Sequence, residues 1–269
     1  MKKYLIIILT ICSLPAFAEQ QPVLKNKRGI MILPQRGNYC IGISANPFFT
    51  YFGNMFNNST STNSPTFTFA NSDQTIFGKY MKTNNMAYRA NFRIGFANTS
   101  YSYNVLDLSP GAAQNAMVSD VFNRSNSNIG LGFGIEKRKG NTRLQGIYGV
   151  EGFISLSSAK EKYQYGNKLE NLDTGFRRLT EFNLSTSFSI GFRGFAGVEY
   201  FLAPNFSIAG ELGYGPNFTI NSAPKQTIEQ YDFAAGTATT ETKEVNPKTT
   251  NISLDTDNSK GIIKLLFYF

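Results

Sequence analysis

The chain has 269 residues, a formal net charge of +8 and a mean hydropathy of −0.23. Its basic residues are spread along the sequence, which argues against a nucleic-acid-binding surface. Histidine is absent and cysteine occurs only twice. A Ser-His-Asp catalytic site and a histidine-ligated metal site are therefore excluded, and we predict neither an enzyme nor a cofactor.

Residues 1–18 have the pattern of a secretory signal peptide. A basic start precedes the apolar run Tyr4 to Ile11, and Ala16-Phe-Ala18 gives a cleavage site of small residues. The run is too short for a spanning helix, which needs roughly 20 residues. Lipid attachment at Cys12 is the alternative, but a bulky isoleucine precedes this cysteine. We expect cleavage near Ala18 and a basic periplasmic segment over 19–37.

Residues 38–269 show about eight alternating segments, joined in turn by short turns and by long polar connections. This pattern predicts an all-β fold, an eight-stranded antiparallel up-and-down transmembrane β-barrel. In the sixth segment Phe188, Ile190 and Phe192 share one side, and Ser189 and Arg193 share the other. A soluble barrel of the lipocalin type, with the faces exchanged, is the structural alternative. The full charges on the polar side argue against it.

The long polar connections are predicted to be external loops, and the short turns to face the periplasm. The predicted loops are about 52–65, 105–125, 159–181 and 220–258. Binding residues concentrate on loops that a rigid scaffold holds. An external protein or glycan ligand is therefore expected at the loops.

The polar side of the predicted strands carries a set of charged residues that would face the lumen. They are Lys79, Arg89, Arg93, Glu136, Arg143, Glu151, Arg193, Glu199, Glu211 and Lys264. Because sequestered charges need partners, we interpret them as an internal ion-pair network that largely plugs the lumen. Position along neighbouring strands puts Glu151 near Arg193 and Glu211 near Lys264. A narrow channel lined by these charges is the alternative function, and a glycosidase-type carboxylate pair is a weaker one.

Glycines alternate with apolar residues in Gly130-Leu-Gly-Phe-Gly134. A phosphate-cradling loop would need a following helix. Since the segment reads as a strand, we interpret the glycines as small lumen positions that leave room for opposing arginines.

The last segment places Leu265, Phe267 and Phe269 on one side of a closing strand. Four blocks elsewhere add to this pattern: residues 37–43, 74–80, 143–149 and 191–201. Together they resemble a family of small outer-membrane β-barrel proteins from the Bacteroidetes. The chain is also similar to the membrane half of OmpA-type proteins, without their peptidoglycan-binding domain.

The resemblance implies an integral outer-membrane protein surrounded by lipid, and it supplies no catalytic residue. The side chains of Phe269, Phe267 and Leu265 resemble the signal that the barrel-assembly machinery recognises. The expected role is structural or one of surface interaction.

Overall fold

A computed structural model of the chain describes residues 24–45, 76–172, 177–232, 234–256 and 262–269. The predicted signal peptide, its cleavage site at Ala18 and the predicted loop 52–65 lie outside these ranges. Within them, no helix is long and apolar enough to cross a membrane.

The described residues form eleven strands and one short 3-10 helix, Leu169–Asn171. The strands are β1 (Tyr39–Ser44), β2 (Ile76–Thr83), β3 (Met86–Leu106), β4 (Met117–Lys139), β5 (Leu144–Gln164), β6 (Arg177–Ala203), β7 (Phe206–Asn221), β8 (Lys225–Asp232), β9 (Thr237–Glu244), β10 (Thr249–Thr256) and β11 (Ile262–Tyr268).

Eight of these strands close into a ring in the order β1-β2-β3-β4-β5-β6-β7-β11. Strand β11 returns antiparallel to β1, where Cys40 pairs with Tyr268 and Ile43 pairs with Leu265. Closure satisfies the edge hydrogen bonds that an open sheet would leave free. The predicted all-β, eight-stranded antiparallel barrel is confirmed.

The short turns lie at one end of the barrel, which we call the turn end. The two-residue turn between β6 and β7 consists of Pro204 and Asn205. Asn205 has a φ of 65°, a left-handed conformation that asparagine tolerates better than most residues. The opposite end, where the strands extend furthest, is the loop end.

The outside of the ring carries a continuous band of exposed apolar side chains. Phe133, Phe192 and Leu212 are each 66% exposed, although they belong to three different strands. Soluble monomers rarely expose such a continuous apolar surface. The band therefore indicates that the outer wall of the barrel contacts an apolar environment.

The predicted loops 105–125 and 159–181 are wrong in extent. Strand β4 already begins at Met117, β5 continues to Gln164, and β6 begins at Arg177. Polar composition suggested loops, but tyrosine, phenylalanine, threonine and valine in these stretches favour extended backbone. The sheet therefore continues well beyond the apolar band.

The predicted loop 220–258 is also mostly strand. Strand β8 follows the line of β7 along β6, and β9 folds back on β8 as a hairpin. Strand β10 then pairs with β7, with Thr249 opposite Asn221. We call the part of the sheet at the loop end that is built from β3 to β6, β8 and β9 the extension.

The polarity of the two sheet faces reverses at the start of the extension. On the outer face of β3, exposed Phe92, Ile94 and Phe96 are followed at the same spacing by Asn98 and Ser100. On the inner face the polar lumen residues give way to aromatic ones. These are Tyr101 and Tyr103 of β3, Phe122 of β4 and Tyr163 of β5. The apolar outer wall is thus a band of limited height.

The N-terminal segment packs into the turn end of the barrel. A bridge between Lys25 and Met31 folds it into a small hairpin, and Ile32 and Leu33 are 3% and 6% exposed. They join an apolar cluster that includes Met81. Over its described residues, 24–37, the segment predicted as periplasmic therefore packs against the turn end of the barrel.

Candidate functional site: the ion-paired lumen and the aromatic groove

The first cluster of buried charges lies next to the apolar layer of the turn end. Lys79 Nζ is 2.9 Å from a Glu136 oxygen and 3.2 Å from a Glu199 oxygen. Arg138 bridges the same two carboxylates at 3.0 and 2.6 Å. The Tyr268 hydroxyl donates to Glu199 at 2.7 Å and accepts from Arg138. Two cations and two carboxylates are thus paired by residues from β2, β4 and β6.

The second cluster lies above the first and centres on Glu211. Arg89 forms a bidentate contact with this carboxylate at 3.1 and 3.0 Å. Arg193 approaches it at 2.7 Å and Lys264 at 2.5 Å. Glu151 balances both guanidinium groups, at 2.9 Å from Arg89 and 3.3 Å from Arg193. Arg89 also lies 3.6 Å from Glu136, which joins the two clusters.

Every side chain in these clusters is almost completely removed from solvent. The charged members range from 0% to 8% side-chain exposure. Desolvating charges is costly unless close partners replace the lost water, and each member here has at least one partner within hydrogen-bonding distance. Lysine and arginine also contact aromatic faces, with Lys264 4.1 Å from the Phe77 ring centre and Arg89 4.1 Å from that of Phe195. These charged side chains are therefore packed against one another and against aromatic rings.

Glycine makes room for the large side chains. Arg89 lies opposite Gly134, Asn91 opposite Gly132 and Arg93 opposite Gly130. A Cβ at Gly132 would collide with the Asn91 amide, which donates to Glu151 at 2.7 Å. The alternating glycines therefore belong to the lumen wall, as interpreted from the sequence.

The structure brings eight of the ten predicted charges into these clusters. Arg143 is not among them: its guanidinium donates to the carbonyl oxygens of Phe201 and Leu202, both at 3.0 Å. Arg143 is the last residue of the β4–β5 turn, so it lies at the turn end, where it holds the backbone of β6. Arg93 is half-buried above the second cluster and belongs to neither set of ion pairs described above.

Sequence reasoning missed Arg138 and Tyr268. Both follow from alternation alone, because Arg138 lies two residues after Glu136 and Tyr268 lies four after Lys264. Their proximity to a turn and to the chain end obscured the pattern. Both are at most 4% exposed.

No group of three or more histidine, cysteine, aspartate or glutamate side chains within the described ranges could hold a metal ion. Cys40 is a free thiol buried in the apolar layer.

A groove of about 360 Å³ opens on the extension and is lined mainly by inner-face residues of β3, β4 and β5. The rings of Tyr101 and Phe122 stack at 6.0 Å, and those of Phe122 and Tyr163 lie 4.9 Å apart. Tyr103 and Tyr101 are 57% and 48% exposed. Three neighbouring strands thus line this groove with accessible rings. We call it the aromatic groove, after Tyr103, Phe122 and Tyr163.

Polar groups border the aromatic groove. The Asp120 carboxylate accepts a hydrogen bond from the Gly166 amide at 2.8 Å, and Tyr165 donates to the Leu179 carbonyl at 2.7 Å. Burial raises the pKa of the Tyr165 phenol above its ordinary value. Arg178 lies 4.4 Å from the Tyr165 ring centre and pairs with Glu229 at 2.8 Å. These contacts hold one side of the groove in place.

An ion pair between Lys160 and Glu181 links β5, which borders the aromatic groove, to β6. The Glu181 carboxylate accepts from Lys160 at 2.8 Å and from the Asn183 amide at 2.9 Å. The hydrogen bond with Lys160 is the main reason why the pKa of Glu181 is lowered. The carboxylate therefore stays ionised at neutral pH and continues to link β5 with β6.

Fold and site together define a closed antiparallel β-barrel with an ion-paired interior and an extension at one end. No family model matches the chain, and no curated protein matches it. Among solved structures, it is similar to a major outer membrane protein from Thermus thermophilus, at 11% identity and a TM-score of 0.32. That match covers 86% of this chain and 98% of the other.

Proposed function

We propose that the chain is an integral outer-membrane protein with a structural or surface-interaction role, exported by the signal peptide over 1–18. The observation that carries the proposal is the apolar outer band, bounded by a polar outer face on the extension. Outer-membrane barrels present such a band to lipid and keep a polar interior. The extension would then stand outside the cell, and the short turns would face the periplasm.

We propose that the exposed apolar residues of β11 are recognised by the barrel-assembly machinery. Phe267 and Phe269 are 51% and 58% exposed on the outer face of the barrel, and Leu265 shares that face. Before β11 pairs with β1, these aromatic side chains are accessible to a partner protein that acts during insertion. Because the chain contains no histidine, a role as an enzyme forms no part of the proposal.

We propose that the lumen is closed to ions. Two layers support this: the buried ion pairs around Glu211 and Glu199, and the apolar cluster that Ile32 and Leu33 complete below them. An ion crossing the barrel would have to displace paired charges and then pass an apolar layer, where it would lose its hydration.

Single-channel recording of the refolded protein in a planar bilayer tests this closure. We expect no steady conductance from protein that shows the gel mobility of a folded barrel before heating. A steady ion-selective conductance that changes with Glu151→Gln would contradict the closed lumen and support the alternative of a narrow channel.

We further propose that the extension binds an external glycan and that the aromatic groove holds one or more of its sugar units. Aromatic rings bordered by a few polar groups are typical of ligand sites, and rings offer a large contact area at low entropic cost. The rings of Phe122 and Tyr163 would stack on the apolar face of a sugar, and Asp120 would accept from its hydroxyl groups.

Binding to an oligosaccharide array, with the barrel held in lipid nanodiscs, tests the groove. We expect Tyr163→Ala to weaken binding of the retained glycan by up to about tenfold, the equivalent of one lost aromatic contact. Ser102→Ala, on the outer face of β3 in the extension, should leave binding unchanged. Equal binding by both variants, or no retained glycan, would contradict a glycan site in the groove.

A further inference from the structure

Charge is distributed very unevenly between the two ends of the barrel. Seven basic residues are exposed at the turn end: Lys25, Lys27, Arg28, Arg36, Lys82, Lys137 and Lys139. None of them forms an ion pair within the described ranges, and the acidic side chains nearby, Glu136 and Glu199, are buried in the lumen. We call these seven residues the basic rim.

The loop end shows the opposite arrangement, since its charges are mixed and mostly paired. Lys160 contacts Glu181, Arg178 contacts Glu229, and Lys243 contacts Glu241, each pair at 2.8 Å. Within the described ranges, the exposed charged side chains of the turn end are all basic, whereas those of the loop end carry both signs. The basic rim therefore requires an explanation of its own.

The position of the rim relative to the outer wall indicates its partner. A row of exposed aromatic side chains lies just inside the turn end, and aromatic belts mark the level where lipid headgroups begin. The row consists of Tyr39, Tyr80, Tyr88, Tyr148, Tyr200 and Phe269. Lys82 follows Tyr80 on the same outward side of β2, and Lys137 lies opposite Tyr148 on the neighbouring strand. Their ammonium groups are thus placed at headgroup level.

We propose that the basic rim binds the phosphates of anionic phospholipids in the leaflet that surrounds the turn end. This inference rests on the proposed function, because it needs the apolar band to lie in a bilayer. Lysine near an anionic surface is attracted to it over about a Debye length, and the long side chains of Lys82 and Lys137 can reach the headgroups. The N-terminal hairpin brings Lys25, Lys27 and Arg28 to the same side.

The rim explains why the N-terminal segment is tied so closely to the barrel. The Gly37 amide donates to the Met81 carbonyl at 2.9 Å, and the Arg36 amide donates to the Asn84 side chain at 2.8 Å. The second bond fixes the backbone of Arg36 beside the β2–β3 turn, to which Asn84 belongs. The segment therefore closes the lumen with its apolar side and adds charge to the rim with its exposed side.

Electron paramagnetic resonance with spin-labelled lipids tests the proposal. The mature chain is reconstituted in phosphatidylcholine vesicles, and the labelled probe is either phosphatidylglycerol or phosphatidylcholine. We expect the lipid next to the protein to be enriched about fivefold in phosphatidylglycerol, comparable to the attraction of one lysine to an anionic surface. Sodium chloride at high concentration should remove the preference.

Two matched triple variants locate the effect. Lys82→Gln, Lys137→Gln and Lys139→Gln together should clearly reduce the preference, whereas Lys225→Gln, Lys243→Gln and Lys248→Gln at the loop end should leave it intact. Equal association of the two probes with the wild-type barrel, or the same preference in the first variant, would overturn the proposal.

Two further results separate the alternatives. If inorganic phosphate removes the preference more strongly than sodium chloride of the same ionic strength, the rim is a site for free phosphate and the lipid proposal is overturned. If the chain fails to insert into phosphatidylcholine vesicles at all, the membrane barrel itself is contradicted, which is a different failure from loss of lipid preference.

Discussion

Glu211→Gln is expected to lower the free energy of unfolding of the barrel by about 3–5 kcal/mol. The substitution keeps the shape of the side chain but removes the anion shared by Arg89, Arg193 and Lys264. Arg89 and Arg193 would then have to rely mainly on Glu151. Lys264 would be affected most, because Glu211 is its one ion-pair partner within the described ranges. Unfolding by urea in lipid vesicles, followed by loss of the gel-mobility shift, measures the change.

Glu244→Gln is the matched control for this prediction. Glu244 and Lys225 form an exposed pair, with side chains 64% and 51% accessible and atoms 3.6 Å apart. Exposed pairs of this kind contribute less than about 1 kcal/mol. If the two variants unfold at the same urea concentration as the wild type, the lumen is hydrated and its charges do not hold the barrel together.

Phe192→Arg is expected to destabilise the barrel in lipid by about 2–4 kcal/mol if the residue lies near the bilayer centre. Phe192 is on the outer face of β6 and is 66% exposed. An arginine there would have to be desolvated or would draw water and headgroups into the hydrocarbon. Ser100→Arg, also outward but beyond the apolar band, should fold as the wild type does. The fraction of folded protein after dilution from urea into vesicles measures both.

The outcome that would contradict the inside and outside assignment is equal folding of these two variants. Ser189→Arg, on the lumen side of the same strand as Phe192, is expected to have an intermediate effect. Ser189 lies 2.8 Å from Thr219 across the strand pair, so an arginine there would break a hydrogen bond but would remain in a polar interior.

Much of the barrel could be predicted from the sequence because its strands alternate strictly between apolar outward and polar inward residues. The outward assignment of Phe192 and the inward assignment of Arg193 both follow from the two-residue period of a strand. The same period placed Glu151 beside Arg193, and the structure has these residues directly opposite each other. Local alternation fixes the face of a side chain.

The length of the strands could not be predicted in the same way. Ser119, Asn123 and Ser125 of β4 continue the outward alternation, but their polarity placed them in the predicted loop 105–125. Beyond the apolar band, the outer face of the strands is polar, as in a soluble sheet. A prediction that relies on an apolar outer face therefore ends each strand where the apolar band ends. The aromatic groove was missed for this reason.

Contacts between residues far apart in the sequence could not be predicted either. Lys79 meets Glu199 from 120 positions away, and Ile32 enters an apolar layer formed by several strands. Alternation shows that such side chains point inward but not which of them share a level. The sequence left open whether the N-terminal segment packs against the barrel, and the burial of Ile32 and Leu33 resolves that question.

The ion-pair network has consequences for specificity as well as stability. An apolar lumen of the same volume would avoid the cost of desolvating the charged groups of both clusters. Paired charges instead fix the relative height of neighbouring strands, because Arg89 can reach Glu151, Glu211 and Glu136 in one register only. A slip by one residue would turn every charge toward the outer face.

The most direct test of the membrane barrel uses the absence of tryptophan from the chain. Phe133→Trp puts a single reporter on the outer apolar band, and Phe122→Trp puts one on the inner face of the extension. In vesicles with brominated acyl chains, we predict strong quenching of the first reporter and little quenching of the second. Equal quenching of the two reporters, or none for Phe133→Trp in folded protein, would show that the apolar band does not face lipid.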